Sequence, residues 1–182
     1  MISKQAAVKV LNEALATGAD FAEIYIEEDK QSTLVMDNGK VESINDTLTY
    51  GAGIRLLKEL QSVYGYTNDV SLKGLTKLAQ DLRASFNSER LIEVTKVTTQ
   101  RTTKRNLPKI RYEDYPREDL IALLKKASDA CLGYDEKIVR CQITFLNNYK
   151  TVKIFNSEEK EFNDIHSRGR AMIVATAKNE TS

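Results

Sequence analysis

Thr33-Leu34-Val35-Met36-Asp37-Asn38-Gly39-Lys40-Val41-Glu42 is the stretch that decides the fold. A β-prone run precedes its Asn-Gly pair, and a second alternating run continues from Val41 to Leu48. Asn-Gly between two such runs is the strongest short-range hairpin signal, because both central residues of the turn must accept a positive φ. The stretch therefore predicts an antiparallel hairpin whose turn lies at residues 38–39.

Further strands are predicted on both sides of this hairpin. Residues 21–26 alternate, and the acidic run Glu27-Glu28-Asp29 is interpreted as part of a solvated turn at residues 27–31. Residues 50–57 form another strand-like run that returns through residues 63–66. Four later runs have the same rhythm, at residues 139–146, 151–155, 161–165 and 170–177.

Three segments have the apolar spacing of amphipathic helices. The first ends at Gly18, the second follows a cap at Asp69 or Ser71, and the third begins at Pro116 and ends at Gly133. The predicted apolar stripes are Ala6, Val10, Leu11 and Leu15; Leu75, Leu78, Ala79 and Leu82; and Leu120, Leu123, Leu124, Ala127 and Cys131.

Helices that alternate with runs of hairpin strands predict an α+β fold, with helices packed on antiparallel, hairpin-rich sheets. The two halves of the chain also resemble each other. Residues 33–38 align without a gap on residues 151–156, and the same register places Gly51 on Gly169. Two related halves, each a helix followed by antiparallel strands, and a chance similarity are both open interpretations.

Composition divides the chain into three segments. We expect an N-terminal α+β domain at residues 1–93, a basic linker at 94–115, and a second α+β segment at 116–182 that is incomplete or continues into further sequence. The linker's six basic side chains are Lys96, Arg101, Lys104, Arg105, Lys109 and Arg111. They could hold phosphates, but no aromatic side chain lies among them for base stacking, so nucleic acid is not an expected partner.

The overall composition is that of an ordinary globular protein. Of the 182 residues 41% are hydrophobic, and a net charge of +1 gives no field that would steer the chain to nucleic acid or an anionic membrane. No stretch approaches the roughly 20 apolar residues of a membrane-spanning helix. The first 15 residues lack the apolar core and cleavage site of a signal peptide, so the sequence predicts a cytoplasmic protein.

The residues that could hold a metal are few. His166 is the only histidine, and Cys131 and Cys141 are the only cysteines. A catalytic zinc takes about three protein ligands, and no HExxH-like spacing is present. We expect His166 at the surface or in an edge strand and both thiols reduced and buried. The sequence therefore assigns no catalytic, cofactor-binding or metal-binding residue.

Other patterns have structural interpretations. Gly51-Ala52-Gly53 lacks the third glycine and the following helix of a dinucleotide-binding loop, and it favours a bulge or the close approach of another backbone. Arg55 is expected to be exposed or paired. Tyr64 and Tyr66 are assigned to the core in preference to a stacking platform. Glu158-Glu159-Lys160-Glu161, like residues 27–29, is assigned to a solvated turn, since carboxylates that act in acid–base pairs need burial.

Four blocks in order give the sequence a resemblance to a known family. They are Gly18-Ala19-Asp20-Phe21-Ala22-Glu23-Ile24, Asp37-Asn38-Gly39-Lys40-Val41-Glu42, Gly51-Ala52-Gly53-Ile54-Arg55 and Val63-Tyr64-Gly65-Tyr66-Thr67-Asn68. Together they resemble the N-terminal part of the TldD/PmbA family, proteins once described as modulators of DNA gyrase. The resemblance covers nearly the whole chain, and residues 66–69 with the helix after them look closer to the TldD branch than to the PmbA (TldE) branch.

The resemblance implies a zinc-dependent peptidase that acts on unfolded or flexible peptides and forms a heterodimer with a TldE-like subunit. The family's metal site, an HExxxH helix with a further cysteine, lies in later parts of the TldD chain, so no ligand carries over to a position here. We therefore expect the non-catalytic N-terminal region of a longer TldD-like metalloprotease, which contributes substrate access and partner contacts. Zinc is expected only in the full-length protein. The alternatives are the equivalent region of a PmbA/TldE-like partner subunit and a nucleic-acid or gyrase-associated binding module.

Overall fold

The Asn38-Gly39 pair forms the predicted tight turn between two long strands. Asn38 has φ 48° and Gly39 has φ 75°, the left-handed conformation that both central residues of a type I′ turn adopt. The side-chain Oδ1 of Asn38 accepts a hydrogen bond from the backbone N–H of Cys141 at 2.8 Å. The hairpin prediction is confirmed.

A computed structural model describes residues 2–101 and 108–179. The elements in these residues, in chain order, are α1 (Lys4–Ala14), β1 (Phe21–Asp37), β2 (Lys40–Lys58), β3 (Gln61–Thr67), α2 (Leu72–Arg83), β4 (Thr98–Thr99), a short 3-10 helix (Tyr112–Asp114), α3 (Arg117–Leu132), β5 (Ile138–Asn156) and β6 (Lys160–Ala177).

The strands follow the order β3-β2-β1-β5-β6-β4. β3 pairs antiparallel with β2, from Ala52 opposite Thr67 to Lys58 opposite Gln61. Backbone bonds from Ser157 to Ala22 and from Asn38 to Cys141 join the end of one strand to the start of the other, so β1 and β5 are also antiparallel. Only the two-residue β4 runs parallel to its neighbour, β6. The predicted α+β class with hairpin-rich antiparallel strands is confirmed.

The long strands correct the predicted breaks. β1 continues through residues 27–31, where the sequence predicted a solvated turn, and Asp29 is only 8% exposed. The Nζ of Lys150 in β5 lies 3.1 Å from Glu27 and 3.5 Å from Asp29, so a cation on the neighbouring strand pairs with two of the three acidic side chains. β5 and β6 are likewise each continuous where the sequence predicted two shorter strands.

The chain forms two compact units. Unit 1 comprises Met1–Asp29, Thr49–Arg105 and Lys150–Ile165, and unit 2 comprises Lys30–Leu48, Asn106–Tyr149 and His166–Ser182. Each unit therefore takes residues from distant parts of the sequence. The sequential domain boundaries predicted at residues 93 and 115 stay predictions.

Unit 1 has a core between its helices and strands. α1 and α2 pack against each other, and the hydroxyls of Ser3 and Ser71 cap them by accepting hydrogen bonds from the backbone N–H groups of Ala6 and Gly74. The fully buried side chains of this core include Val10, Leu11, Leu15, Ile24, Ile26, Ile54, Leu56, Leu75 and Phe155.

Unit 2 has a smaller core of its own under α3. Its buried members are Leu34, Met36, Leu120, Leu124, Cys141 and Ile143. The predicted stripe of α3 is wrong at Leu123, which is 57% exposed. Ser128 occupies the buried position that follows Leu120 and Leu124 at intervals of four residues, so the buried face is narrower than the apolar pattern indicated.

Gly74, inside α2, has a structural reason that the sequence did not reveal. A Cβ at this position would collide with the side chain and backbone oxygen of Asp69, which lies just before the helix. The close approach of Asp69 therefore leaves no room for a side chain at this position, although glycine costs about 1 kcal/mol in a helix relative to alanine.

Part of the predicted basic linker packs on unit 1. Val94 and Val97 are buried in its core, and the side-chain amide of Asn12 bonds both backbone groups of Val94, at 2.7 and 2.9 Å. Lys96 and Arg101 are exposed. Lys104 and Arg105 lie outside the described residues.

Candidate functional site

A cavity of about 630 Å³ in unit 2 is the best candidate for a binding site. Residues from three strands and from the segment that leads into α3 line it. They are Lys30, Gln31 and Ser32 of β1; Asp46, Thr47 and Leu48 of β2; Asn147 and Tyr149 of β5; and Glu113, Asp114, Tyr115, Pro116, Arg117 and Leu120. The sequence did not predict this cavity, because its walls come from four separate stretches of chain.

Two ion pairs fix the segment before α3 and the first residue of α3 to the strands. The Nζ of Lys30 lies 2.5 Å from the Oε1 of Glu113, and the Nη2 of Arg117 lies 2.9 Å from the Oδ2 of Asp46. Ser32 donates a third bond, from its hydroxyl to the Oδ1 of Asp46 at 2.6 Å. The hydrogen bonds from Ser32 and then Arg117 lower the pKa of Asp46, so this carboxylate is ionised at neutral pH.

Unit 1 holds a second, smaller groove of about 300 Å³ with an aromatic wall. Tyr64 is 60% exposed and Tyr66 is 78% exposed, so their assignment to the core was wrong. Gly65 between them faces the other side of β3, where a Cβ would come within 2.9 Å of Leu78 in α2. α2 therefore covers the Gly65 side of the strand and leaves both phenol rings on the open side.

Gly53 gives the ring of Tyr64 room to approach β2 closely. A Cβ at Gly53 would meet the ring of Tyr64, with its Cε2 at 2.8 Å and its Cζ at 2.9 Å. The expected approach of another backbone is found at Gly51, where a Cβ would lie 3.2 Å from the backbone oxygen of Thr67, whereas at Gly53 the approaching group is a side chain. Arg55, two residues on, pairs with Glu23 at 3.2 Å, as expected for an exposed or paired residue.

Tyr25 contributes a hydroxyl to the same groove. It donates to the Oε2 of Glu27 at 2.8 Å, and burial followed by this hydrogen bond raises its pKa to about 12. Lys150, which contacts the same carboxylate, has a raised pKa chiefly because of its hydrogen bond to Glu27. At neutral pH Tyr25 stays protonated. Tyr25, Glu27 and Lys150 therefore form a hydrogen-bond network in which no side chain is poised to transfer a proton.

Glu161 also corrects a prediction. It lies in β6 beyond the turn, and it is 3% exposed, where a solvated group was expected. Burial alone would raise its pKa, but hydrogen bonds from Thr99, Lys153, Lys4 and Asn163 lower it to about 2. Through these hydrogen bonds the Glu161 carboxylate joins α1, β4 and β5 to β6.

The residues that could ligate a metal lie apart. His166 lies in β6 and is half-buried, whereas the free thiols of Cys131 and Cys141 lie on α3 and β5. Within residues 2–101 and 108–179, no group of three or more histidine, cysteine, aspartate or glutamate side chains could hold a metal ion. The described residues therefore do not fit a catalytic zinc, which needs about three protein ligands.

The two thiols pack together in the core of unit 2. Cys141 is completely buried and Cys131 is half-buried beside it. Burial, with a contact from Cys131, raises the pKa of the Cys141 thiol. A thiol with a raised pKa is a poor nucleophile at neutral pH, so this pair has the character of core residues.

The structure also bears on the expectations about membranes and nucleic acid. No described helix of the chain is long and apolar enough to cross a membrane. Lys96, Arg101, Lys109 and Arg111 are exposed, but the absence of nucleic-acid binding stays a prediction.

Sequence comparison identifies the class of protein to which this helix-and-hairpin fold belongs. A model described as PmbA/TldA metallopeptidase domain 1 matches residues 22–86, and a model described as the PmbA/TldA metallopeptidase central domain matches residues 110–182. The chain belongs to the PmbA/TldD metallopeptidase family. No curated protein matches the sequence significantly.

Solved structures share the fold. A "putative modulator of DNA gyrase" from Bacteroides thetaiotaomicron VPI-5482 superimposes with a TM-score of 0.71 at 15% identity, over 97% of this chain and 41% of the other. A protein of the same description from Thermotoga maritima MSB8 gives 0.70 at 16% identity, over 97% and 40%. TldE from Thermococcus kodakarensis gives 0.67 at 10% identity, over 97% and 40%. The chain thus spans about two fifths of each of these proteins.

Proposed function

We propose that this chain is the non-catalytic N-terminal region of a TldD-like zinc metalloprotease that acts on unfolded or flexible peptides. In this role it provides access for the substrate and contacts for a TldE-like partner subunit. The observation that carries the proposal is the order of the two family matches, domain 1 at residues 22–86 followed by the central domain at residues 110–182.

The length of the similar structures supports the same assignment. The chain covers 40–41% of them, so about three fifths of a family protein corresponds to no residue of this chain. A metal site in that larger part would be consistent with the poor donor set here, where one histidine and two packed thiols are the only imidazole and thiol donors of the sequence.

Open strand edges support a role in handling peptides. β3 pairs only with Ala52–Lys58, and β4 pairs with β6 only at Lys160 and Glu161. The rest of the outer edges of β2 and β6 therefore lacks a strand partner among the described residues. An extended peptide or a strand of another subunit can add to such an edge through backbone hydrogen bonds, with little demand on sequence.

The experiment compares the full-length parent protein with the 182-residue chain. We expect the parent, purified with its partner subunit, to hydrolyse an unfolded casein-derived peptide and to lose that activity with a zinc chelator. The chain alone should show no hydrolysis. Chelator-sensitive hydrolysis by the chain alone would contradict the proposal, and so would a parent whose hydrolysis is unaffected by removal of zinc.

The alternative is the equivalent region of a PmbA/TldE-like partner subunit without its own metal site. The similarity to TldE from Thermococcus kodakarensis favours it, although at 10% identity this similarity concerns the fold alone. The reading frame beyond residue 182 separates the two candidates. An HExxxH motif there favours the protease, and its absence favours the partner subunit.

A further inference from the structure

An open strand edge borders the cavity of unit 2. β3 has only seven residues and pairs with Ala52–Lys58, so no described strand lies beside the outer edge of β2 from Lys40 to Leu48. The backbone N–H and C=O groups on such an edge can pair with another extended chain. Asp46, Thr47 and Leu48 of this edge also line the cavity, which brings a peptide on the edge within reach of it.

The mouth of the cavity has an apolar surface. Leu48 is 63% exposed and Tyr115 is 40% exposed, and both line the cavity with the largely buried Leu120. A large exposed leucine beside a tyrosine can cover the aliphatic part of a long side chain. These contacts favour a side chain with an extended apolar stem.

The charges of the cavity favour a cation at the end of that stem. Its acidic side chains are Asp46, Glu113 and Asp114, and its basic side chains are Lys30 and Arg117. The two ion pairs already described join Arg117 to Asp46 and Lys30 to Glu113. Asp114 is exposed and forms no ion pair within the described part of the chain, so the cavity keeps one uncompensated negative charge.

We propose that an extended peptide adds to the edge of β2 at Lys40–Leu48 and places a lysine or arginine side chain in this cavity. The stem of that side chain packs on Leu48 and Tyr115, and its cationic head pairs with the carboxylate of Asp114. The inference rests on the proposed function for the kind of occupant, and it adds the location and a preference for basic side chains.

The other open edge in unit 2 belongs to β6, and it is positively charged, whereas the cavity beside β2 has a net negative charge. On β6, Met172, Ile173 and Val174 are 43–51% exposed, and the nearby charges are Arg168 and Arg170. Such an edge favours an acidic or apolar strand. The two edges therefore make different predictions for one set of peptides, which allows them to be told apart.

The experiment measures peptide binding to the 182-residue chain by fluorescence anisotropy at low salt. The probe is a fluorescein-labelled Ala-Val-Lys-Val-Ala-Ser peptide, compared with the same peptide carrying glutamate in place of lysine. We expect the lysine peptide to bind at least about 10-fold more tightly. Methylation of alternate backbone amides should abolish binding, because it removes the hydrogen bonds to the strand edge without changing the charge.

Variants of the protein locate the contact. Asp114→Asn should weaken binding of the lysine peptide by about 3- to 10-fold, and Asp114→Lys should favour the glutamate peptide instead. Asp119→Asn is the matched control, since it removes the same charge from an exposed position of α3 that does not line the cavity. Leu48→Glu should weaken binding, whereas Val174→Glu on the edge of β6 should not.

Several results would overturn the inference. They are equal binding of the two peptides, tolerance of backbone methylation, equal effects of Asp114→Asn and Asp119→Asn, or a loss caused by Val174→Glu and not by Leu48→Glu. None of these results would contradict the proposed function, whose test is the zinc-dependent activity of the parent protein. Conversely, hydrolysis by the chain alone would contradict the proposed function but would not bear on the inference about peptide binding at β2.

Discussion

The Nζ of Lys153 lies 3.1 Å from the Oε1 of Glu161, whose side chain is only 4% exposed. Lys4 approaches the other oxygen at 3.2 Å, and Thr99 donates to it at 2.6 Å. Because the carboxylate is buried, its loss leaves the charge of Lys153 without compensation. We expect Glu161→Gln to lower the free energy of unfolding by roughly 3 kcal/mol, measured by urea denaturation at pH 7.

Glu158→Gln is the control for this substitution. Glu158 pairs with Lys160 at 2.7 Å, but its side chain is 58% exposed, so the change should stay within about 0.5 kcal/mol. Equal effects of the two substitutions would show that the burial of Glu161 contributes nothing to stability.

The same carboxylate predicts how stability depends on pH. Its pKa is about 2 in the folded chain and 4.5 for the free side chain, so its contribution is fully present above pH 4.5. The contribution is lost as the pH falls from 4.5 towards 2, where the folded carboxylate also takes up a proton. We expect the difference in unfolding free energy between the wild type and Glu161→Gln to shrink across this window, and a constant difference would contradict the assignment.

Gly53→Ala should disturb the aromatic groove of unit 1, because the new Cβ meets the ring of Tyr64. We expect a loss of roughly 1–2 kcal/mol in the free energy of unfolding. In a Tyr64→Ala background the same change should be neutral or stabilising, since alanine restricts the unfolded chain more than glycine does. Additive effects in this double-mutant cycle would show that the ring and the glycine are not in contact.

Gly74→Ala tests helix propensity against a local collision. Propensity alone predicts that alanine stabilises α2 by about 1 kcal/mol. The position of Asp69 against Gly74 predicts the opposite sign, a destabilisation measurable as a lower midpoint of thermal unfolding. Lys73→Ala, at an exposed position of the same helix, is the control and should have little effect.

Local signals in the sequence were sufficient for much of the fold. The Asn38-Gly39 turn needs only the positive φ of two adjacent residues, and Ser71, one of the two predicted caps, bonds only within the first turn of α2. Pro116 lies immediately before α3, one residue ahead of the predicted first-turn position. These features do not depend on residues that are far away in the sequence. They were predicted correctly for that reason.

Features that depend on distant residues were missed. The acidic run at residues 27–29 stays in a strand because Lys150 lies opposite it, and Glu161 is buried because Lys4 and Lys153 converge on it. The exposure of Tyr64 depends on which side of β3 is covered by α2. A single sequence without its long-range pairing holds no signal for these contacts, nor for a cavity whose walls come from four segments.

The two thiols should differ in reactivity. Cys131 is half-buried and Cys141 is fully buried, with a pKa raised chiefly by burial. We expect a thiol-specific reagent to label one equivalent in the native protein at pH 7.5 and two in denaturant. Cys131→Ser should remove the fast native reaction, whereas rapid labelling of Cys141 in that variant would contradict its burial.

The zinc content of the purified 182-residue chain, measured by elemental mass spectrometry after equilibration with zinc and dialysis, tests the central claim most directly. Our account predicts far less than one zinc per chain, because three suitable side chains do not converge in the residues that the structure describes. One tightly held zinc per chain, retained when all of the added metal has been removed, would contradict it.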